Sequence, residues 1–250
     1  MNSIGIIPAR YASTRFPGKP LVQINGKSMI QRVYEQASQA RLQHVLVATD
    51  DERIMVEVQR FGGNAVLTAS THQSGTDRCF EAYTLFNQPC DFIMNIQGDE
   101  PFIQPEQINL VIDLFTSSAT QLGTLVKRIN NQTELFNPNS PKVILDNRQQ
   151  AIYFSRHPIP YVRGAEPEHW LQQHTFYKHI GIYGYRADIL EQITQLAPSD
   201  LELSESLEQL RWLQNGFRIA TALTTQENIG IDTPEDLERV LSKENNRHLS

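Results

Sequence analysis

The stretch Pro8–Pro20, PARYASTRFPGKP, sets Arg10, Arg15 and Lys19 among the small residues Ala9, Ala12, Ser13 and Gly18. Small side chains let backbone N–H groups approach an anion closely. The cations offset most of a triphosphate's charge, each charge-assisted contact contributing about 1.5–3 kcal/mol. A merely solvated basic loop is the competing reading, but Pro17, Gly18 and Pro20 stiffen this one. Two familiar phosphate loops are excluded. Gly26-Lys27-Ser28 has the ending of a Walker A loop, yet Leu21 stands where its first glycine belongs. No G-x-G-x-x-G follows the first apolar run, which weakens a dinucleotide reading.

Three later segments carry polar groups of matching use. His72-Gln73-Ser74-Gly75-Thr76 offers amide and hydroxyl groups for a nucleobase edge, although Ser74 or Thr76 serves equally well as a helix cap. Gln97-Gly98-Asp99-Glu100-Pro101 puts an acidic pair at the end of an apolar run. That arrangement suits Mg²⁺, a hard cation that prefers carboxylate and phosphate oxygens, or else an acidic turn before a helix. In Gly230-Ile-Asp-Thr-Pro-Glu-Asp-Leu237, Thr233 and Pro234 read as a helix N-cap and first position, with Asp236 three residues after the cap. Asp232 is then a loop residue, or a second metal ligand if the fold brings it to Asp99.

These segments need a scaffold that gathers them, and the apolar pattern describes one. Short apolar runs alternate with helix-period segments, as in βα units around a mainly parallel sheet of the α/β class. Strands are predicted at Ile4–Ala9, His44–Thr49, Asn64–Leu67 and Asp91–Gln97, with helices after Ser28, over Asp51–Arg60, from near Thr76 and over Gln104–Ser117. Asn25-Gly26 reads as a tight turn. The basic loop and the QGDEP segment therefore both follow strands, at the carboxyl ends where such sheets bind ligands. After Gly123 the rhythm changes. Leu122–Arg128, Lys142–Asp146, Ala151–Ser155 and Lys178–Tyr185 read as strands with little helix between them, a β-rich lobe at about 122–185. Helices follow at Ala187–Thr194 and Glu205–Gln214, then a strand at Arg218–Leu223 and a last helix from Thr233.

Composition bounds the setting. The 250 residues are 40% hydrophobic and 20% charged, ordinary for a globular chain and enough for one α/β domain with a small lobe. A formal net charge of −6 argues against a nucleic-acid partner, which wants a basic face. Cys79 and Cys90 are not at zinc spacing, the first residues lack the pattern of a signal peptide, and no apolar run is long enough for a membrane span. A reducing cytoplasm is the expected location.

Together the motifs resemble the CMP-KDO synthetase family, the 3-deoxy-manno-octulosonate cytidylyltransferases of lipopolysaccharide synthesis. The resemblance runs in order through IPARYASTRFPGKPL, ATDDE, HQSGT, NIQGDEP, FNPN, YFSR, HIGIYGYR, LEQLR and GIDTPEDLERV, nearly the whole chain. It implies a Rossmann-like, mainly parallel sheet flanked by helices, with an inserted β-rich lobe, of the nucleotide-diphospho-sugar transferase type. It implies that Arg10, Arg15 and Lys19 hold the phosphates of CTP, with Pro8, Ala9, Ala12 and Ser13 lining the loop. Gln73, Ser74 and Gly75 would border the cytidine, and Asp99 and Asp232 would coordinate Mg²⁺. Gln97, Arg156, His179, Tyr183, Tyr185, Glu208 and Gln209 would surround KDO or a related sugar acid. A cation with Tyr, Gln and Glu hydrogen-bonders suits a sugar carrying a carboxylate and many hydroxyls. Taken singly, Tyr183 and Tyr185 read equally as strand packing and His179 as a core histidine, while a helix over Glu208 and Gln209 turns one of the two to solvent. A homodimer with the lobe at its interface is also implied.

Overall fold

The computed structural model describes residues 1–12 and 15–247, the side chains of 243–247 excepted, and divides the chain into two compact units, 1–108 with 227–250, and 109–226. In the first unit, β1 (Ser3–Ala9) is buried along almost its whole length, as expected of an apolar strand covered on both faces. A hairpin of β2 (Gln23–Ile24) and β3 (Lys27–Ser28) follows, turning through Asn25 and Gly26 at φ of 48° and 78°. Two successive left-handed residues make a tight hairpin turn, which the Asn-Gly pair favours. Ser28 then caps α1 (Met29–Ser38), its hydroxyl accepting from Gln31 N, while Met29, Ile30, Val33 and Ala37 form the buried stripe.

The chain continues through β4 (His44–Thr49), α2 (Glu52–Arg60), β5 (Ala65–Leu67), α3 (Gly75–Phe86) and β6 (Phe92–Asn95). The four longer strands are parallel in the order β6-β1-β4-β5, with Ile6 opposite both Leu46 and Asn95. Asp51 caps α2 and Ser74 caps α3, each with a side-chain oxygen accepting a backbone N–H of the first turn. α4 (Pro105–Leu114) carries the chain into the second unit. It ends three residues before the predicted boundary, because Thr116 and Ser117 turn their hydroxyls back onto local backbone.

The second unit is built on a mixed sheet. β7 (Leu122–Arg128) leads through the short α5 (Gln132–Leu135) to the antiparallel pair β8 (Lys142–Leu145) and β9 (Ala151–Ser155). α6 (Trp170–Gln173) precedes β10 (Tyr177–Arg186), which runs antiparallel to both β7 and β8. α7 (Ala187–Thr194), α8 (Asp200–Glu205) and α9 (Gln209–Gln214) lead to β11 (Ile219–Leu223), parallel to β7. One predicted helix, Glu205–Gln214, is really an end and a beginning. Ser206 takes the left-handed conformation (φ 51°, ψ 49°), so α8 stops at Glu205 and α9 starts anew. Sequence pattern hides such a break, since left-handed helix stops are read from glycine. The β-rich segment 122–185 lies inside this unit, and α10 (Pro234–Arg247) returns to the first. Among the described residues no helix is long and apolar enough to cross a membrane. Cys79 and Cys90 are buried and not disulfide-bonded.

Candidate active site

A cavity of about 390 Å³ opens at the carboxyl ends of β1 and β6, in the size range of small-molecule sites. Its wall contains Pro8, Ala9, Arg10, Ala12, Arg15 and Lys19 of the basic loop, together with Ser74, Gly75, Gln97, Asp99 and Asp232. Backbone contacts bring these distant segments together. Gly98 passes so close to β1 that a Cβ there would stand 2.7 Å from the Pro8 carbonyl oxygen. Ile231 N donates to Asp99 O at 3.0 Å, which lays the GIDTPEDL segment beside QGDEP. Asp232 is held from its other side, where its own N–H and that of Thr233 both donate to the Asp236 carboxylate, each at 3.1 Å. The predicted N-cap works as well, since Thr233 Oγ1 accepts from Asp236 N.

Lys19 is the centre of the charge arrangement. Its Nζ donates to Asp99 Oδ2 at 2.7 Å and to Asp232 Oδ1 at 3.0 Å, and Arg15 Nη2 lies 3.3 Å from Asp232 Oδ2. Burial disfavours the Lys19 ammonium, but the Asp99 and Asp232 carboxylates outweigh that effect and hold its pKa above the ordinary value. Two carboxylates thus already converge on one cation. Oxygen donors of that charge, with phosphate oxygens to complete the set, fit Mg²⁺. Glu100, the other half of the acidic pair, is engaged instead by the Asn228 side-chain amide.

In the second unit, His179, Tyr183 and Tyr185 project from β10, around an irregularity in its register with β7 between Ile180 and Tyr183. Their rings pack in series. His179 and Tyr183 lie 5.2 Å apart, Tyr183 stacks on Tyr185 at 6.1 Å, and Trp212 of α9 stands edge-on to both tyrosines at 5.0 and 5.7 Å. His179 Nε2 meets Thr124 Oγ1 at 3.0 Å, and burial pushes its pKa down to about 3, so the ring is neutral at physiological pH. The Tyr183 hydroxyl is buried without a hydrogen-bond partner among the described residues, and burial, then Tyr185 and Glu208, raise its pKa well above the usual value. A buried hydroxyl left unpaired is costly, which makes it a natural acceptor for a ligand's polar group. Glu208 is half-buried and Gln209 buried, so Glu208 is the more exposed of the two.

Comparison with known proteins decides the family. A cytidylyltransferase family model matches residues 4–229. A 3-deoxy-manno-octulosonate cytidylyltransferase of Cytophaga hutchinsonii is 63% identical over 96% of both chains, and one of Parabacteroides distasonis is 59% identical over 97% of this chain and 98% of its own. The solved structure of a CMP:2-keto-3-deoxy-manno-octonic acid synthetase complexed with CTP superimposes with a TM-score of 0.90 at 42% identity, covering 99% of this chain and 100% of that one. The chain belongs to the 3-deoxy-manno-octulosonate cytidylyltransferase family.

Within this cytidylyltransferase, several expected residues stand differently from the sequence reading. Gln97, assigned to the sugar, lines the cavity of the basic loop. Gln73 is exposed and does not line it, because its amide turns onto the Thr71 carbonyl. Ser13 lies outside the described residues. Arg156 directs its guanidinium to the carbonyl oxygens of Glu205, Ser206 and Pro138 at 2.6, 3.1 and 3.0 Å. Two contributors escaped sequence reading altogether. Arg78, four residues beyond Ser74, is buried in the cavity wall, paired with Asp50 at 3.1 Å and bonded to Thr68 Oγ1. Trp212, outside every motif named above, is fully buried against Tyr183 and Tyr185. Nothing in the spacing of either residue signals its place.

Proposed function

We propose that the enzyme transfers CMP from CTP to 3-deoxy-D-manno-octulosonate, releasing pyrophosphate and supplying CMP-KDO for lipopolysaccharide synthesis. The observation that carries this reading is the convergence of Arg10, Arg15 and Lys19 with Asp99 and Asp232 in one cavity, in a chain with these relatives. The first unit takes the nucleotide. Arg10, Arg15 and Lys19 bind the triphosphate, Ala9, Ala12 and Ser13 let the loop approach it, and Ser74 and Gly75 border the base. Gln73 reaches the base only by leaving its Thr71 bond. Residues of the second unit take the sugar acid. Tyr183, Tyr185, Glu208 and Gln209 meet its hydroxyls, and neutral His179 acts as a hydrogen-bonding group. Arg156 retains an N–H on each terminal nitrogen for a carboxylate.

The anomeric hydroxyl of the sugar attacks the α-phosphorus and gives up its proton to water, and the bond from phosphorus to the oxygen bridging the α- and β-phosphates breaks as pyrophosphate departs. Catalysis in such transfers is mainly alignment and stabilisation of charge on the phosphate oxygens. Arg15 and Lys19 supply that charge to the departing pyrophosphate. Asp99 and Asp232 would hold Mg²⁺, which when bound would supply Lewis-acid polarisation of the phosphate. Lys19, paired with Asp99 and Asp232 in this structure, supplies its charge to phosphate when CTP binds.

A cytoplasmic location accords with buried, unbridged cysteines. A homodimer accords with the exposed Tyr161 and Phe136 of the second unit, both packed against Trp170. The deciding experiment is pyrophosphate release with CTP, Mg²⁺ and 3-deoxy-D-manno-octulosonate, each omitted in turn. Release is expected only with all three. Equal release with CMP-accepting sialic acids or without any sugar acid would refute the assignment.

A further inference from the structure

The left-handed break at Ser206 sets where α9 begins, and therefore where Glu208, Gln209 and Trp212 stand. Serine gains nothing intrinsic from this conformation, which only glycine adopts routinely. Glu208, the residue before α9, provides no side-chain cap either. The turn must be held from outside, and the structure shows by what.

Glu205, the last residue of α8, spends both carboxylate oxygens on the end of β9. Oε1 accepts from Ser155 Oγ at 2.7 Å and Oε2 from Arg156 N at 2.9 Å. Arg156 returns the contact to the helix end, with Nε on Glu205 O and Nη2 on Ser206 O. Carbonyls at a helix C-terminus have no partner within the helix, and a guanidinium there satisfies them while complementing the helix dipole. The third Arg156 bond, to Pro138 O, extends the junction to the FNPN segment, Phe136 to Asn139. That segment is itself fixed by Lys142, a fully buried residue of β8 whose Nζ donates to Asn137 O and Ser140 O at 2.9 and 2.8 Å. Burial lowers the Lys142 pKa to about 8, against the favourable field of Glu205. Glu205 is thus the anion between two cations, tying β9, α8 and the FNPN segment together.

We propose that Glu205 is a positioning residue for the sugar-acid site, setting the start of α9 so that Glu208 and Gln209 reach the acceptor. It is not a catalytic residue, because both its oxygens are engaged within the protein. The inference rests on the acceptor-site reading given above. It also assigns a use to the YFSR and FNPN segments, which the nucleotide chemistry leaves unexplained.

Steady-state kinetics with each substrate varied separately provides the test. Glu205→Gln keeps the side chain's shape and removes its charge. It is expected to raise KM for 3-deoxy-D-manno-octulosonate about tenfold while KM for CTP stays within about twofold, as loss of one charge-assisted bond implies. Glu205→Asp, which keeps the charge on a shorter arm, should recover part of the loss. Ser155→Ala removes a single bond at the sheet edge and should show a smaller shift in the same direction, which keeps the test open should Glu205→Gln fail to fold. Gln209→Ala and Glu208→Ala probe the site itself. If they leave KM for the sugar acid unchanged, the acceptor-site reading falls and this inference with it. If they raise it while Glu205→Gln and Ser155→Ala change neither KM, or raise both KM values equally, the positioning role alone is overturned.

Discussion

Lys19 shows how one residue can hold two roles. In this structure its ammonium neutralises Asp99 and Asp232, two carboxylates that would otherwise repel across a half-buried space. With nucleotide bound, the same charge is needed by phosphate. Lys19→Ala should therefore reduce CTP affinity in the presence of Mg²⁺ by about 10–100-fold, the effect of one strong charge-assisted contact. Titration calorimetry reads this directly, and an unchanged dissociation constant would refute the triphosphate role. Arg10, Arg15 and Lys19 were legible in the sequence because their spacing among small residues has a local chemical meaning. The partnership of Arg15 and Lys19 with Asp232 was not, since it spans more than two hundred residues and depends on the Ile231–Asp99 backbone contact. Arg78 was hidden for the same reason, its partners Asp50 and Thr68 lying on two other strand ends.

At the scale of elements, the local rules read well where a single residue enforces them. Ser28, Asp51 and Ser74 all cap the helices that their positions predict, and Asn25-Gly26 makes the hairpin turn. They fail where distant groups enforce the geometry. The Ser206 break is of that kind, held by Arg156, whereas the early end of α4 comes from nearby hydroxyls competing for backbone. The QGDEP turn offers an element-level prediction. Because a Cβ at Gly98 would approach the Pro8 carbonyl to 2.7 Å, Gly98→Ala must push the turn away from β1. A backbone neighbour yields less readily than a side chain, so a loss of about 1–3 kcal/mol is expected. Asp99 would move with the turn. Chemical denaturation should show the destabilisation, and CTP affinity should fall in the same variant. Wild-type values for both would mean that the close approach positions nothing.

For the whole molecule, the acid side of the stability curve carries the mark of His179. Its folded pKa is about 3, lowered by burial, against an ordinary value of 6.5. Above pH 6.5 the ring is neutral whether the chain is folded or not, and contributes no pH dependence. Below pH 6.5 the unfolded chain takes up a proton that the folded chain refuses until about pH 3. Stability must then fall as pH drops through that window, by at most about 1.4 kcal/mol per pH unit, the limit for one proton. Carboxylates such as Glu81 and Asp236, whose folded pKa values are lowered, add losses in the same direction but at more acid pH. Between pH 6.5 and 5 those carboxylates contribute little, and comparison with a variant lacking the histidine isolates its share. Melting temperatures across that interval should decline for the native protein and decline less for His179→Gln, whose amide can still reach Thr124 without titrating. Equal slopes would show that His179 takes its proton as readily in the folded chain as outside it, and would remove the neutral imidazole from the proposed sugar-acid site.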